Sequence, residues 1–339
     1  MDRKLLTTGI GSLPHKDKRL ACKLILEYFD IPFWPQLPSL SFKEAMVSQY
    51  SEGMPFIQIN AEKEKIWIQR DGQEDLNRFY EQISKSPALP ISNDYACGFY
   101  EMAEQIKNRH FSFLKGQITG PLTFTLGLKD KNGAAIYFDE ELREVALMLL
   151  EAKAVWQAEA LKQFCDNVII FIDEPILTAL GSSAYLGVSA DESFRALFEI
   201  IEKLKNKGAI TAIHCCGKTD WDMIFNLNPD IVNFDAYSYF DSLEIYHERI
   251  TQHLNRGGTL AWGIVPTTSK EINKESVESL INNFMNKFNR LSKKIDYKLL
   301  LSQTMLTPSC GTGSLSIDEA LKCFDLLKKL KEHFLLISL

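Results

Sequence analysis

His214 and Cys216 stand two apart in Ile213-His214-Cys215-Cys216-Gly217, directly behind an apolar run. In an extended chain residues i and i+2 project to the same side, so this imidazole and this thiol can reach one ion. A third soft ligand, Cys310, sits in Leu306-Thr307-Pro308-Ser309-Cys310-Gly311-Thr312-Gly313, again just after an apolar run. Two thiols, one imidazole and an open fourth position form a catalytic zinc set. These ligand types favour zinc over magnesium or calcium, and leave copper(I) and iron open. A lone His-x-Cys pair is commonly structural; Cys310 at a second strand end is what sets a metal reading beside the structural one. Asp235, ending Val232-Asn233-Phe234-Asp235, is a candidate fourth ligand. Cys22, Cys97, Cys165 and Cys323 fall in helical patterns and read as core thiols, while Cys215 should point away from its neighbours into the packing.

To bring ligands so far apart in sequence to one point, the strands must share a common end. Short apolar runs at 5–10, 33–37, 113–118, 168–172, 209–213, 231–234, 259–264 and 299–305 read as strands. Helical patterns follow most of them, for example 140–164, 190–205, 270–291 and 317–334. Alternating strands and helices imply parallel pairing with crossovers. Eight such units in 339 residues predict an α/β fold, a single (β/α)8 TIM barrel over 1–339. Its ligands then lie at the C-terminal mouth. A long gap at about 38–110 reads as an insertion between strands two and three, with a strand pair at 56–60 and 65–70 and helices near 72–84 and 93–108. The rival is an open doubly wound sheet. It calls for a Gly-rich fingerprint, and in Gly9-Ile10-Gly11-Ser12-Leu13-Pro14 a proline takes the third glycine's place.

Composition narrows the function classes. Hydrophobic residues are 45% and charged residues 24% of the chain, and the net charge is −6, so no basic field draws nucleic acid. The basic stretch Lys328-Lys329-Leu330-Lys331 reads as a solvated helix face. No run of roughly 18 apolar residues marks a membrane span. The start, Met1-Asp2-Arg3-Lys4-Leu5-Leu6, lacks an apolar signal core and leads straight into a strand, and the expected location is cytoplasmic. Seven cysteines, an odd number, argue against a disulfide framework.

Other polar residues crowd the same rim. Ser12 and His15 follow strand one, Gln117 and Thr119 end strand three, and Asp173 with Glu174 ends strand four. Singly, Ser12 and Thr119 are as well explained as helix caps. Together the set suits a small polar substrate whose amino group pairs with Asp173 or Glu174, with His15 and Gln117 as further contacts to substrate or donor.

Taken in order, Thr7-Thr8-Gly9-Ile10-Gly11-Ser12-Leu13-Pro14, Gly120-Pro121-Leu122-Thr123, Ile172-Asp173-Glu174-Pro175, His214-Cys215-Cys216 and Pro308-Ser309-Cys310-Gly311 span nearly the whole chain. The sequence thereby resembles the C-terminal catalytic barrel of cobalamin-independent methionine synthase, and more broadly the superfamily that includes uroporphyrinogen decarboxylase and corrinoid-linked thiol methyltransferases. The resemblance implies zinc on His214, Cys216 and Cys310, with Asp235 at the place of the family's glutamate ligand. It also implies that Ser12 and Asp173 hold the amino-acid part of homocysteine.

The region Trp262-Gly263-Ile264-Val265-Pro266-Thr267-Thr268 has no histidine where the synthase carries a proton donor to its folate. The synthase's N-terminal barrel has no counterpart in this chain either. A methyl-corrinoid, carried by a corrinoid protein partner, is then the preferred donor over methyltetrahydrofolate, because a methyl–cobalt bond needs no proton on its leaving group. The uroporphyrinogen decarboxylase reaction uses no metal and lacks this thiol set. The expected activity is transfer of a methyl group to a small thiol ionised by zinc. The alternatives are a non-catalytic metal- or corrinoid-binding barrel, and a scaffold whose cysteines bind nothing.

Overall fold

The structure, a computed structural model, describes residues 5–180 and 185–336. Residues 1–4, expected to lead into the first strand, lie outside the described residues. Nine strands occur among those described: β1 (Leu6–Thr7), β2 (Ile57–Asn60), β3 (Lys65–Ile68), β4 (Phe111–Thr119), β5 (Cys165–Asp173), β6 (Ile210–Cys215), β7 (Ile231–Phe234), β8 (Thr259–Val265) and β9 (Thr304–Pro308). Seven form one curled parallel sheet in the order β1-β9-β8-β7-β6-β5-β4. β2 and β3 make a separate antiparallel hairpin within the 38–110 stretch.

Period-two alternation splits the sheet's side chains between two cores. Phe113, Ile169, Phe171, Ala212, Ile231, Ala261 and Met305 pack with Ile10 and Ile31 in one cluster on one face. The residues between them, such as Leu114, Ile170, Ile213, Val232 and Trp262, join the larger cluster built with the helices. Because both faces are covered, the strands read as nearly unbroken apolar runs.

Three expectations change. The second strand, 33–37, is present only as isolated bridges, Phe33 to Lys115 and Ser12 to Gln36. Pro32 and Pro35 have no N–H to give a ladder. The segment still bonds to both edges of the sheet. Ile31 N donates to Thr7 O at 3.0 Å and Gln36 N to Gly11 O at 3.0 Å, while Lys115 N donates to Pro32 O at 2.9 Å. The last strand was expected over 299–305, but Tyr297–Ser302 is a helix and the strand begins at Thr304. There the Asp296 carboxylate accepts from Leu299 N at 2.8 Å, a helix cap that a short leucine run does not announce. Cys165 opens β5 instead of closing a helix. No helix among the described residues is long and apolar enough to cross a membrane.

Near the start of β6 and on the two-residue β1 the same clamp recurs. Thr211 donates its N–H and hydroxyl to Asp230 Oδ2 at 2.8 and 2.9 Å, and Thr7 does the same to Asp30 Oδ2 at 2.8 and 2.8 Å. A clamp at the bottom of the sheet serves stability and leaves the C-terminal edge to chemistry. Asp230→Ala should lower unfolding free energy by about 1–3 kcal/mol in urea titration. A loss too small to measure would mean that the clamp is not holding the β6–β7 connection.

Candidate metal centre

β6 delivers His214 near its C-terminal end, with Cys216 one residue beyond the strand. β9 ends at Pro308, two residues before Cys310. One ligand atom from each of these three residues lies within 4.8 Å of the others, and no other such group of three occurs among the described residues. Cys215 is buried in the helix-side core, as alternation requires. Gly311 lets the Cys310 loop close on the first strand's loop, since a Cβ there would stand 2.2 Å from Ser12 Oγ. Thr312 N and Oγ1 both donate to Ser12 O, at 2.9 and 3.0 Å.

The ring orientation of His214 suits a ligand. Its Nδ1 is hydrogen-bonded to Asn233 Oδ1, and its Nε2 is buried with no hydrogen-bond partner. A buried imidazole nitrogen without a partner costs free energy, and here it faces two thiols. The donor set and this orphaned nitrogen fit zinc.

A cavity of about 430 Å³ opens on the three residues and is also lined by Ser12, Gln36, Glu44 and Asp173. Asp173 Oδ1 is likewise buried and unpartnered. The other expected site residues are placed differently. Asp235 is not in the three-residue cluster; its carboxylate accepts from Ser238 N at 2.8 Å and caps the helix Ala236–Glu244. Glu174 is fully buried and accepts from Leu122 N at 2.8 Å, Thr123 N at 3.0 Å and Thr123 Oγ1 at 2.6 Å, anchoring the turn after β4. Gln117 gives its amide N–H to Trp34 O at 3.1 Å, and Thr119 gives its hydroxyl to Met46 O at 2.6 Å. His15 is buried and outside the cavity lining.

Sequence reasoning passed over Gln36, Glu44, Asn233 and Lys115. Glu44 is buried, with its carboxylate accepting from Leu37 N at 2.7 Å and Cys97 N at 2.8 Å. Lys115 is fully buried on β4, donating to Ile10 O at 2.5 Å and Gln117 Oε1 at 3.0 Å. A charged residue inside an apolar strand run was the available signal for Lys115. Nothing local marks Glu44.

Burial pushes Asp173 up to about 6, against the pull of His214 and Lys115, and burial brings Lys115 down to about 7. The two thiols share a proton asymmetrically. Donation from Cys310, helped by His214, holds Cys216 far below the ordinary thiol range against its burial. The same bond, with burial, holds Cys310 far above it.

No protein-family model and no curated protein matches the chain. Among solved structures, it is similar to a B12-independent methionine synthase from Shewanella sp. W3-18-1 in complex with selenomethionine. The match has a TM-score of 0.62 at 15% identity, and covers 99% of this chain and 100% of that one. The likeness is one of fold.

The asymmetry of the thiols is measurable. In metal-free protein at pH 6, iodoacetamide followed by mass spectrometry should label Cys216 first. The other six cysteines are all shifted upward, Cys310 by its bond to Cys216 and the rest chiefly by burial. A thiol held below its ordinary value stays reactive as pH falls, until its own pKa is passed. Equal labelling of Cys216 and Cys310 would refute the asymmetry.

Proposed function

We propose that the chain is a zinc-dependent methyltransferase whose acceptor is a small amino-acid thiol of the homocysteine type. The observation that carries this reading is the buried, unpartnered His214 Nε2 beside two thiols at the base of a cavity that also holds an unpartnered Asp173 oxygen. His214, Cys216 and Cys310 would hold the metal. When bound, zinc lowers the pKa of a thiol placed against it, making the sulfur nucleophilic at neutral pH, a gain of roughly 2 kcal/mol in ionisation.

The chain's own groups do the rest. Asp173 lines the cavity, has a carboxylate oxygen with no partner, and can take an ammonium group, a charge-assisted contact that orients the acceptor. Ser12 stands on the same wall. A cavity of about 430 Å³ suits a small amino acid and leaves little room for a bulky donor beside it. A second hollow of about 780 Å³, bordered by Ile66, Trp67 and Lys65 of β3, shares Ala45 and Met46 with the first. We assign the donor to that side. At the end of β8, Thr267 Oγ1 meets Ser309 Oγ at 3.1 Å, and the stretch 262–268 has no histidine to protonate a leaving group. That favours a methyl-corrinoid over methyltetrahydrofolate.

Purified protein should contain about one zinc per chain, and Cys216→Ser and Cys310→Ser should each lose it. Full zinc occupancy in both variants would sink the assignment. Transfer from methylcobalamin or methyltetrahydrofolate to homocysteine separates an enzyme from a non-catalytic metal-binding barrel, for which tight zinc and no turnover are expected. Asp173→Asn should lower kcat/KM with homocysteine about 10–100-fold, the worth of a charged hydrogen bond. With 2-mercaptoethanol, which has no amino group, it should change little. An equal loss with both thiols would remove Asp173 from amine recognition.

A further inference from the structure

Beneath the three candidate ligands lies a chain of hydrogen bonds that crosses four strands. Asn233, on β7 and directly opposite His214 in the β6–β7 register, is its centre. The amide nitrogen of Asn233 donates to Ala261 O on β8 at 2.9 Å and to Thr307 Oγ1 on β9 at 2.9 Å. A backbone carbonyl only accepts, so the Ala261 contact fixes which end of the amide is nitrogen. The oxygen must then face His214, where it is bonded to Nδ1. An amide oxygen only accepts, so Nδ1 carries the hydrogen. The lone pair of the neutral ring is left on Nε2, the nitrogen that faces the thiols and has no partner.

We propose that Asn233 is a positioning residue for the metal: it fixes His214 in the Nδ1–H tautomer and sets the ring plane so that Nε2 is the ligating atom. This rests on the metal-site reading above. The strands supply the rigidity. Asn233 is buried, and its three bonds reach β6, β8 and β9, so the amide cannot turn over without breaking all of them. Thr307 lies three residues before Cys310, and the same amide thereby ties the β9 ligand loop to the β6 imidazole. Groups that take the other ring N–H of a ligating histidine commonly govern metal affinity by about 10–100-fold.

Two variants separate tautomer control from mere packing. Asn233→Leu and Asn233→Asp both lose the donor to Ala261 and Thr307, but only the aspartate keeps an acceptor for Nδ1–H. Zinc affinity, read by competition with a chromophoric chelator, should fall about 10–100-fold in Asn233→Leu and be retained or raised in Asn233→Asp. Equal weakening in both, or in neither, would overturn the proposal. A measurement on the unmodified protein guards against a variant that does not fold. Long-range proton–nitrogen NMR of the zinc-loaded chain should show His214 protonated at Nδ1 and metal-bound at Nε2; the reverse would overturn it. Unmodified protein that takes up no zinc would fail the functional reading itself. Zinc uptake by His214, Cys216 and Cys310 with an indifferent Asn233 would fail this inference alone.

Discussion

The curl of the sheet is the constraint on which the site depends. β6 and β9, which carry the candidate ligands, are separated in the sheet by β7 and β8. Strands in a flat sheet lie about 4.8 Å apart, so three spacings would hold these two roughly 14 Å apart. The ligand atoms lie within 4.8 Å of one another. Only a sheet bent inward at its C-terminal edge can bring them together. The bend is held from inside, where Phe113 and Phe171 pack in one buried cluster with Ala212 and Ala261. It is held at the edges by the segment 31–36, which bonds to the loop after β1 and to β4.

The polar residues at that edge divide into those already bonded and those left free. Buried polar groups are normally satisfied, and most here are. Glu174, Thr119 and Gln117 spend their side chains on backbone groups of neighbouring segments. Glu44 does the same while still lining the cavity. Among the described residues, the buried side-chain atoms that lack a partner and belong to cavity-lining residues are His214 Nε2 and Asp173 Oδ1. One suits a cation and the other an ammonium group. That difference, more than the density of polar residues on the rim, distinguishes a binding group from a structural one.

Lys115 shows the same economy one layer lower. Its ammonium is surrounded by the rings of Phe33 and Phe171, with centroids at 5.3 and 4.5 Å. It ties the first strand's loop to β4 through Ile10 O and Gln117. Burial weakens its hold on a proton, and the nearby Asp173 strengthens it. The sheet therefore buries an ionisable pair, Lys115 and the cavity-lining Asp173, where an apolar plug would otherwise sit.

By itself the sequence determined the alternation of strands and helices over most of the chain, because apolar period and turn residues are local properties. It also determined that His214 and Cys216 share a side of their strand while Cys215 does not, since alternation follows from the backbone. Cys310 was legible as a third candidate ligand through its place behind an apolar run. The start of β9 was not, because Leu299-Leu300-Leu301 suits a helix as well as a strand and only the Asp296 cap decides between them. Nor was the fate of Glu174, Gln117 and Thr119, which depends on backbone groups brought up from distant segments. Asn233 was quoted in its strand without a role, and its importance comes from three bonds to β6, β8 and β9. Residue type sets what a side chain can bond to. Whether those bonds are already filled is decided only when the sheet curls and sets non-neighbouring strands side by side.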